Sequence, residues 1–221
     1  MSEHPEHPEH EPSLTELWDE RYAATDRVWS GKPNAALIDT VSSIAPKGRA
    51  LDVGCGEGAD VLWLAAQGWD AEGIDLSQVA ISRAQSQAQT AGVPAQFHTT
   101  DAEQWARTHQ DSYALVSAAF LHTHGADDRA ALLRRAASMV APGGWLFILS
   151  HASPPPWAHS HAPDRTPGTP ELDRDLAGVD TLMTEVAEIR ARAAVGPDGT
   201  EATLEDSILL VRRSTADATA D

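Results

Sequence analysis

Short apolar runs alternate with amphipathic stretches along most of the chain, and their periods set out its elements. Residues 15–22 (TELWDERY) predict a short helix with Ser13 or Thr15 as cap and Leu14, Trp18 and Tyr22 on one face. A second helix is expected over Asn34–Ile44, after the turn SGKPN. An alternation then begins. The run Arg49–Val53 reads as a buried strand and Ala59–Gln67 as an apolar helix; Ala71–Ile74 precedes a helix over Gln78–Thr90, and Gln96–His98 precedes a short one over Ala102–Arg107. Strand Ala114–Val116 leads to helix Asp128–Val140, and after the turn Pro142-Gly143-Gly144 strand Trp145–Leu149 closes the series. Strands alternating with helices imply an α/β fold, a single doubly wound and mostly parallel sheet covered on both faces. Ligands of such sheets bind beyond the carboxyl ends of the strands.

The C-terminal part is ambiguous. Residues 187–193 (AEIRARA) alternate as a strand would, yet Leu182, Val186, Ile189 and Ala193 also recur at helical spacing. The turn signal Gly196-Pro197-Asp198-Gly199 and the apolar run Ile208–Val211 favour a hairpin. The expectation is a helix that frays out near residue 185, followed by two strands. Between the fifth strand and this region, HASPPPWAHSHAPDRTPGTP carries six prolines and three histidines. Its place just past a strand end favours a lid or substrate wall over residues 153–170.

Composition narrows the classes. With 221 residues and 42% apolar content the chain can fill one sizeable core, expected over residues 13–213. The first dozen residues repeat His-Pro-Glu without an apolar anchor and, with residues 214–221, read as disordered tails. In a polyproline II segment His4, His7 and His10 would share a face roughly 9 Å apart, too far for one metal ion. The 33 acidic against 16 basic residues give a net charge of −17, which repels phosphodiester backbones and weighs against nucleic acid as a partner. Cys55 is the only cysteine, so no internal disulfide forms and a reducing, cytoplasmic setting is expected. The start MSEHPEHPEHEPS lacks the pattern of a secretory signal, and no apolar run is long enough to span a membrane. Monomer and homodimer remain equally open.

The chemistry starts at ALDVGCGEGAD, Ala50–Asp60, where Gly54, Gly56 and Gly58 fall between a strand and a helix. Glycine reaches positive φ without strain and lets a ligand approach the backbone, while the helix beyond offers unpaired N–H groups. Two chemistries use such a turn. Gly54-x-Gly56-x-x-Ala59 satisfies the dinucleotide fingerprint, and Asp75 stands at about the distance of a ribose contact, which a nicotinamide-dependent oxidoreductase would use. The fuller set is Asp52 before the turn, Asp75 at the end of the second strand and Asp101 after the third. With these, the chain resembles the class I, Rossmann-like S-adenosylmethionine-dependent methyltransferases. LDVGCGEG is similar to that family's first motif, GIDLS to its acidic ribose motif, TTDAEQW to its adenine motif and VAPGGWLFI to its fifth-strand motif. The opening WDERY…VWSGKPN resembles the front helix and loop of a small-molecule subgroup akin to the thiopurine, tellurite-resistance and ubiquinone-biosynthesis methyltransferases.

The resemblance implies a seven-stranded sheet with an antiparallel C-terminal strand, and methyl transfer from S-adenosylmethionine to a small-molecule acceptor, leaving S-adenosylhomocysteine. A non-catalytic binder of the same cofactor is the other alternative. By position, Gly54, Gly56 and Gly58 would line the methionine half, Asp52 would orient its ammonium and Ala118 would offer a carbonyl to it. Asp75 would accept the ribose hydroxyls with Leu76 against the adenine; Asp101 would take the adenine amino group and Ala102 present an amide. Tyr22 and Trp29 would cover the sulfonium, since aromatic faces attract cations. For Asp52 and Asp101 the alternative is a helix cap, and Trp18 is read as core. Direct displacement at the methyl needs alignment and dryness, and a base only if the acceptor must lose a proton. His122 and His151, just past the fourth and fifth strands, are the candidates, each with a structural role as the alternative. His124 shares the first position. His159-x-His161 supplies two ligands without a supporting pattern, so no metal is expected.

Overall fold

The computed structural model describes residues 12–121, 126–154, 156–157, 169–170, 173, 182–196 and 199–215. Helices α1 (Leu14–Ala23) and α2 (Ala35–Val41) lead into β1 (Arg49–Val53). The alternation continues through α3 (Ala59–Ala66), β2 (Asp70–Asp75), α4 (Gln78–Ala91), β3 (Gln96–Thr99), α5 (Ala102–Ala106), β4 (Tyr113–Ala119), α6 (Ala126–Ser138) and β5 (Val140–His151). Strands β6 (Leu182–Val195) and β7 (Glu201–Arg213) complete a seven-stranded sheet in the order β3-β2-β1-β4-β5-β7-β6. β1 to β5 are parallel, and β7 runs antiparallel to both of its neighbours. The mostly parallel sheet and the reversed strand expected from the sequence are both present.

Successive residues of the central strands face opposite layers. Ala50, Leu115, Phe147 and Ile208 pack with α2, α3 and α4 residues such as Leu37, Leu64 and Ile81, while Leu51, Val116, Ile148 and Leu209 pack with Ala102, Leu133 and Ala137 of α5 and α6. Burial on both sides is what makes these strands unbroken apolar runs in the sequence. The order reverses between β1 and β4, so β1, β2 and β4 end around one crevice, the place where this architecture receives a ligand.

Two expectations change at the C-terminal side. No helix ends near residue 185: β6 is already a strand at Leu182, and residues 174–181 lie outside the described region. As the edge strand it is mostly exposed on both faces, so its apolar residues fell at helical spacing without forming a helix; Met183 and Ile189 are 54% and 52% exposed. The expected hairpin of β6 and β7 is present, with the Gly196 amide bonded to the Thr200 carbonyl at 2.8 Å. Helix α6 stops at Ser138, and β5 begins at Val140 instead of Trp145, with an irregular register between Tyr113 and Leu115 of its partner. Gly144 permits this: a Cβ there would stand 2.9 Å from the carbonyls of Ala141 and Tyr113.

Candidate active site

The glycine turn joins β1 to α3 through three residues of positive φ, Gly54 at 72°, Gly56 at 52° and Gly58 at 83°. A Cβ on Gly54 would lie 2.5 Å from Leu121, one on Gly56 2.8 Å from the Tyr22 hydroxyl, and one on Gly58 2.6 Å from Phe97. Conformation and close approach therefore both demand glycine. The turn is held from below by the Ile74 carbonyl, which accepts from the amides of Gly54 (2.8 Å) and Cys55 (3.0 Å). Cys55 is itself buried beneath the turn, where desolvation pushes its thiol well above the ordinary range.

Carboxylates gather around this turn. Asp52 is 3% exposed and accepts from the Ser117 hydroxyl at 2.6 Å. Burial, and then the charges of Asp60 and Asp75, hold its carboxyl well above the usual range. Asp60, in the first turn of α3, is raised by burial although the Asn34 amide and side chain both donate to it at 2.7 Å. Asp75 ends β2 and takes the Gly56 amide on Oδ2 and the Ser77 amide on Oδ1, each at 2.9 Å; burial still raises it. Among the described residues, no cationic side chain pairs with any of these three. Together they make an electronegative cradle suited to a ligand that carries positive charge of its own.

The front of the chain closes over that cradle. Tyr22 is 2% exposed and accepts from Trp29 Nε1 at 2.8 Å, which puts the pair directly above Gly56. Burial pushes the Tyr22 phenol well above its ordinary value, so it stays neutral. The Trp18 ring lies tilted at 5.8 Å from Tyr22 and 6.4 Å from Trp29, and the Arg21 guanidinium lies over both tryptophan rings. The segment is pinned by Glu57, whose carboxylate accepts from the amides of Val28 and Trp29 and from Arg83 at 3.0 Å. Arg83 in turn donates to the carbonyls of Tyr22 (2.8 Å) and Thr25 (2.6 Å). Asp19 of α1 accepts from the Ser77 hydroxyl at 2.5 Å, tying the same helix to the start of α4.

Asp52, the three glycines, Asp75, Tyr22 and Trp29 lie around this one turn. Leu76 follows Asp75 half-buried, and Ala118 lies buried near the end of β4, beside Val53. Asp101 is exposed and caps α5 through Oδ1, which accepts from the Gln104 amide at 2.6 Å, with Ala102 buried behind it; Asp52 lies within β1 and caps no helix. Trp18 is half-buried in the aromatic cluster, not core. His151 ends β5, with Nδ1 3.2 Å from Asp206 and its ring 4.4 Å from Phe120. His122 and His124, the pair His159 and His161, most of the loop 153–170 and the first eleven residues lie outside the described residues. Among the described residues no three His, Cys, Asp or Glu side chains are grouped to hold a metal, and no helix is long and apolar enough to cross a membrane. Sequence reasoning missed Glu57, Arg83 and Asp206. Only Glu57 had a local signal, its place inside the glycine turn.

Comparison with known proteins agrees with this geometry. Residues 50–144 match the family described as methyltransferase domain. The ubiquinone biosynthesis O-methyltransferase of Marinobacter nauticus is 36% identical over 113 residues, 50% of this chain and 47% of that protein. The chain spans about half the length of the curated relatives it matches, or less. Among solved structures, one from work on the conversion of a disulfide bond into a thioacetal group during echinomycin biosynthesis aligns with TM-score 0.76 at 24% identity, covering 93% of this chain and 95% of that one. The 1,6-didemethyltoxoflavin-N1-methyltransferase of Burkholderia thailandensis, solved with its substrate and S-adenosylhomocysteine, aligns with TM-score 0.64 at 18% identity, covering 91% and 87%. Residues 50–144 thus match a methyltransferase domain, and the seven-stranded sheet has the fold of these solved neighbours.

Proposed function

We propose that the protein transfers a methyl group from S-adenosylmethionine to a small-molecule acceptor. The observation that carries this is the acidic cradle: three positive-φ glycines bordered by the buried carboxylates of Asp52, Asp60 and Asp75, with no side-chain cation among the described residues to balance them. A ligand bearing an ammonium and a sulfonium supplies that balance. The pyrophosphate of a dinucleotide would face Asp52, Glu57 and Asp60 at the start of α3, where like charges meet in a poorly solvated site.

Each residue has a stated part. Asp52 and the Ala118 carbonyl orient the ammonium, and Asp75 accepts the ribose hydroxyls while it braces the turn through the Gly56 amide. Leu76 and Ala102 border the adenine, with Asp101 at its amino group. Trp29 and Tyr22 shield the reacting methyl from water and present aromatic faces to the positive charge. When bound, S-adenosylmethionine supplies an electrophilic methyl group, whose transfer disperses the positive charge near it. The chain aligns and desolvates, effects together worth several kcal/mol. The chain's net charge of −17 opposes a nucleic-acid acceptor, and the lone buried Cys55 suits a reducing cytoplasm.

The test is mass spectrometry of the purified protein for co-purified S-adenosylhomocysteine, followed by transfer of labelled methyl to a panel of thiols, catechols, quinols and chalcogen oxyanions. Bound nicotinamide dinucleotide, or S-adenosylhomocysteine binding with no transfer to any acceptor, contradicts methyl transfer.

A further inference from the structure

At the carboxyl end of β5, where it pairs with the amino-terminal half of β7, four side chains from four strands or strand ends form one unit. His151 and Asp206 are paired residues of the two strands, and their side chains meet through Nδ1 at 3.2 Å. Asp206 is 4% exposed and also binds Arg192 Nε from β6, whose guanidinium lies 5.7 Å from the Phe120 ring. Phe120, with a positive φ of 49°, covers the imidazole and precedes Leu121, whose side chain abuts Gly54. A continuous line of contacts therefore joins the cofactor turn to His151. The neighbouring Ser150 faces the opposite layer, where it is bonded to Arg129 (2.6 Å) and Asp173 (2.8 Å), so that ion pair does not compete for the imidazole.

A carboxylate on Nδ1 selects the tautomer that leaves Nε2 unprotonated. Among the described residues Nε2 has no partner, and the His151 side chain is 27% exposed. Asp206 is held in turn by Arg192 Nε, which fixes the carboxylate against the ring. A histidine needed only for packing has no use for a buried, arginine-balanced carboxylate.

We propose that His151 is the general base and Asp206 its positioning residue, and that the acceptor is therefore a hydroxyl or thiol, not an aprotic nucleophile. This rests on the methyltransferase reading above. The acceptor's O–H or S–H bond breaks with its proton going to His151 Nε2; its lone pair forms the new bond to the methyl carbon, and the pair of the breaking carbon–sulfur bond returns to sulfur, giving S-adenosylhomocysteine. The proton later leaves His151 to solvent.

The experiment combines nitrogen-15 NMR of the imidazoles with kinetics, using catechol and thiophenol as probes. In the S-adenosylhomocysteine complex His151, assigned by its loss in His151→Gln, should show the Nδ1-protonated tautomer, and Asp206→Asn should shift it towards Nε2–H. Methyl transfer should fall at least about a hundredfold in His151→Gln and about tenfold or more in Asp206→Asn. Both should lose the acid limb of the wild-type pH profile, while S-adenosylhomocysteine affinity stays within twofold, and Asp206→Glu should recover part of the rate. An Nε2–H tautomer in the wild type, an unchanged pH profile in both variants, or no transfer to either probe by a protein that binds S-adenosylhomocysteine overturns the assignment. Failure to bind S-adenosylhomocysteine at all counts against the methyltransferase reading instead.

Discussion

Asp52→Asn separates the cost of the acidic cradle from its use. Asp52 is 3% exposed, has Ser117 as its hydrogen-bond donor, and is raised well above the usual carboxylate range by burial and by Asp60 and Asp75. A carboxyl whose folded pKa lies above its unfolded value favours folding fully only below the unfolded value, near 3.9. That contribution is lost as pH rises through the folded pKa. Each unit of upward shift corresponds to about 1.4 kcal/mol of stability lost by neutral pH. Asparagine keeps the shape and an acceptor for Ser117 but adds buried amide donors that cost about 1–3 kcal/mol if unpaired. The absolute change in stability is therefore a difference of similar numbers, and the decisive quantity is its slope. Urea unfolding of the ligand-free protein between about pH 4 and pH 8 should show the wild type losing ground to Asp52→Asn steadily as pH rises. The same variant should bind S-adenosylmethionine about tenfold to a hundredfold more weakly, because a charge-assisted hydrogen bond of about 1.5–3 kcal/mol to the ammonium is gone. Parallel stability profiles together with unchanged affinity would refute the cradle.

Gly58→Ala should destabilise by about 2–5 kcal/mol in urea unfolding, since φ is +83° and the added Cβ meets Phe97 and Ala84, whereas Gly92→Ala, with φ +65° and open space, should cost only about 1–2 kcal/mol. Arg129→Met leaves Asp173, fully buried, without its cation and should cost about 3–5 kcal/mol; a loss under 1 kcal/mol would mean that this pair does not anchor the segment after β5. Arg83→Ala frees the carbonyls of Tyr22 and Thr25, so limited proteolysis should cut residues 22–30 faster while S-adenosylhomocysteine affinity falls several-fold; an unchanged cleavage pattern would show that Glu57 alone holds the segment.

The legible parts of the fold are those whose pattern has one cause. β1, β4 and the centre of β5 are buried on both faces and read as apolar runs, and the glycines of the turn report the positive φ that the backbone needs. β6 was misread at its start because an exposed edge strand imposes no burial pattern, and its scattered apolar residues met the helical period by coincidence. Trp18 was placed in the core because a helix face says what is apolar and not what stands opposite; Tyr22 and Trp29 stand opposite. Asp75 and Asp52 were found through motif position. Asp206 and Arg192 were not, since they reach His151 only through the pairing of β7 with β5 and β6, 55 and 41 residues away in the chain.

Calorimetric titration with S-adenosylhomocysteine of the wild type, Asp75→Ala and the exposed control Asp70→Ala tests the cofactor site most directly, with circular dichroism confirming that each protein is folded. Asp75 should contribute about 1.5–3 kcal/mol through the ribose hydroxyls and more through its brace on the Gly56 amide, so its loss should weaken binding at least about tenfold to a hundredfold, while Asp70→Ala matches the wild type. Equal binding by the wild type and Asp75→Ala, or no binding by the wild type where a nicotinamide dinucleotide does bind, would contradict the account.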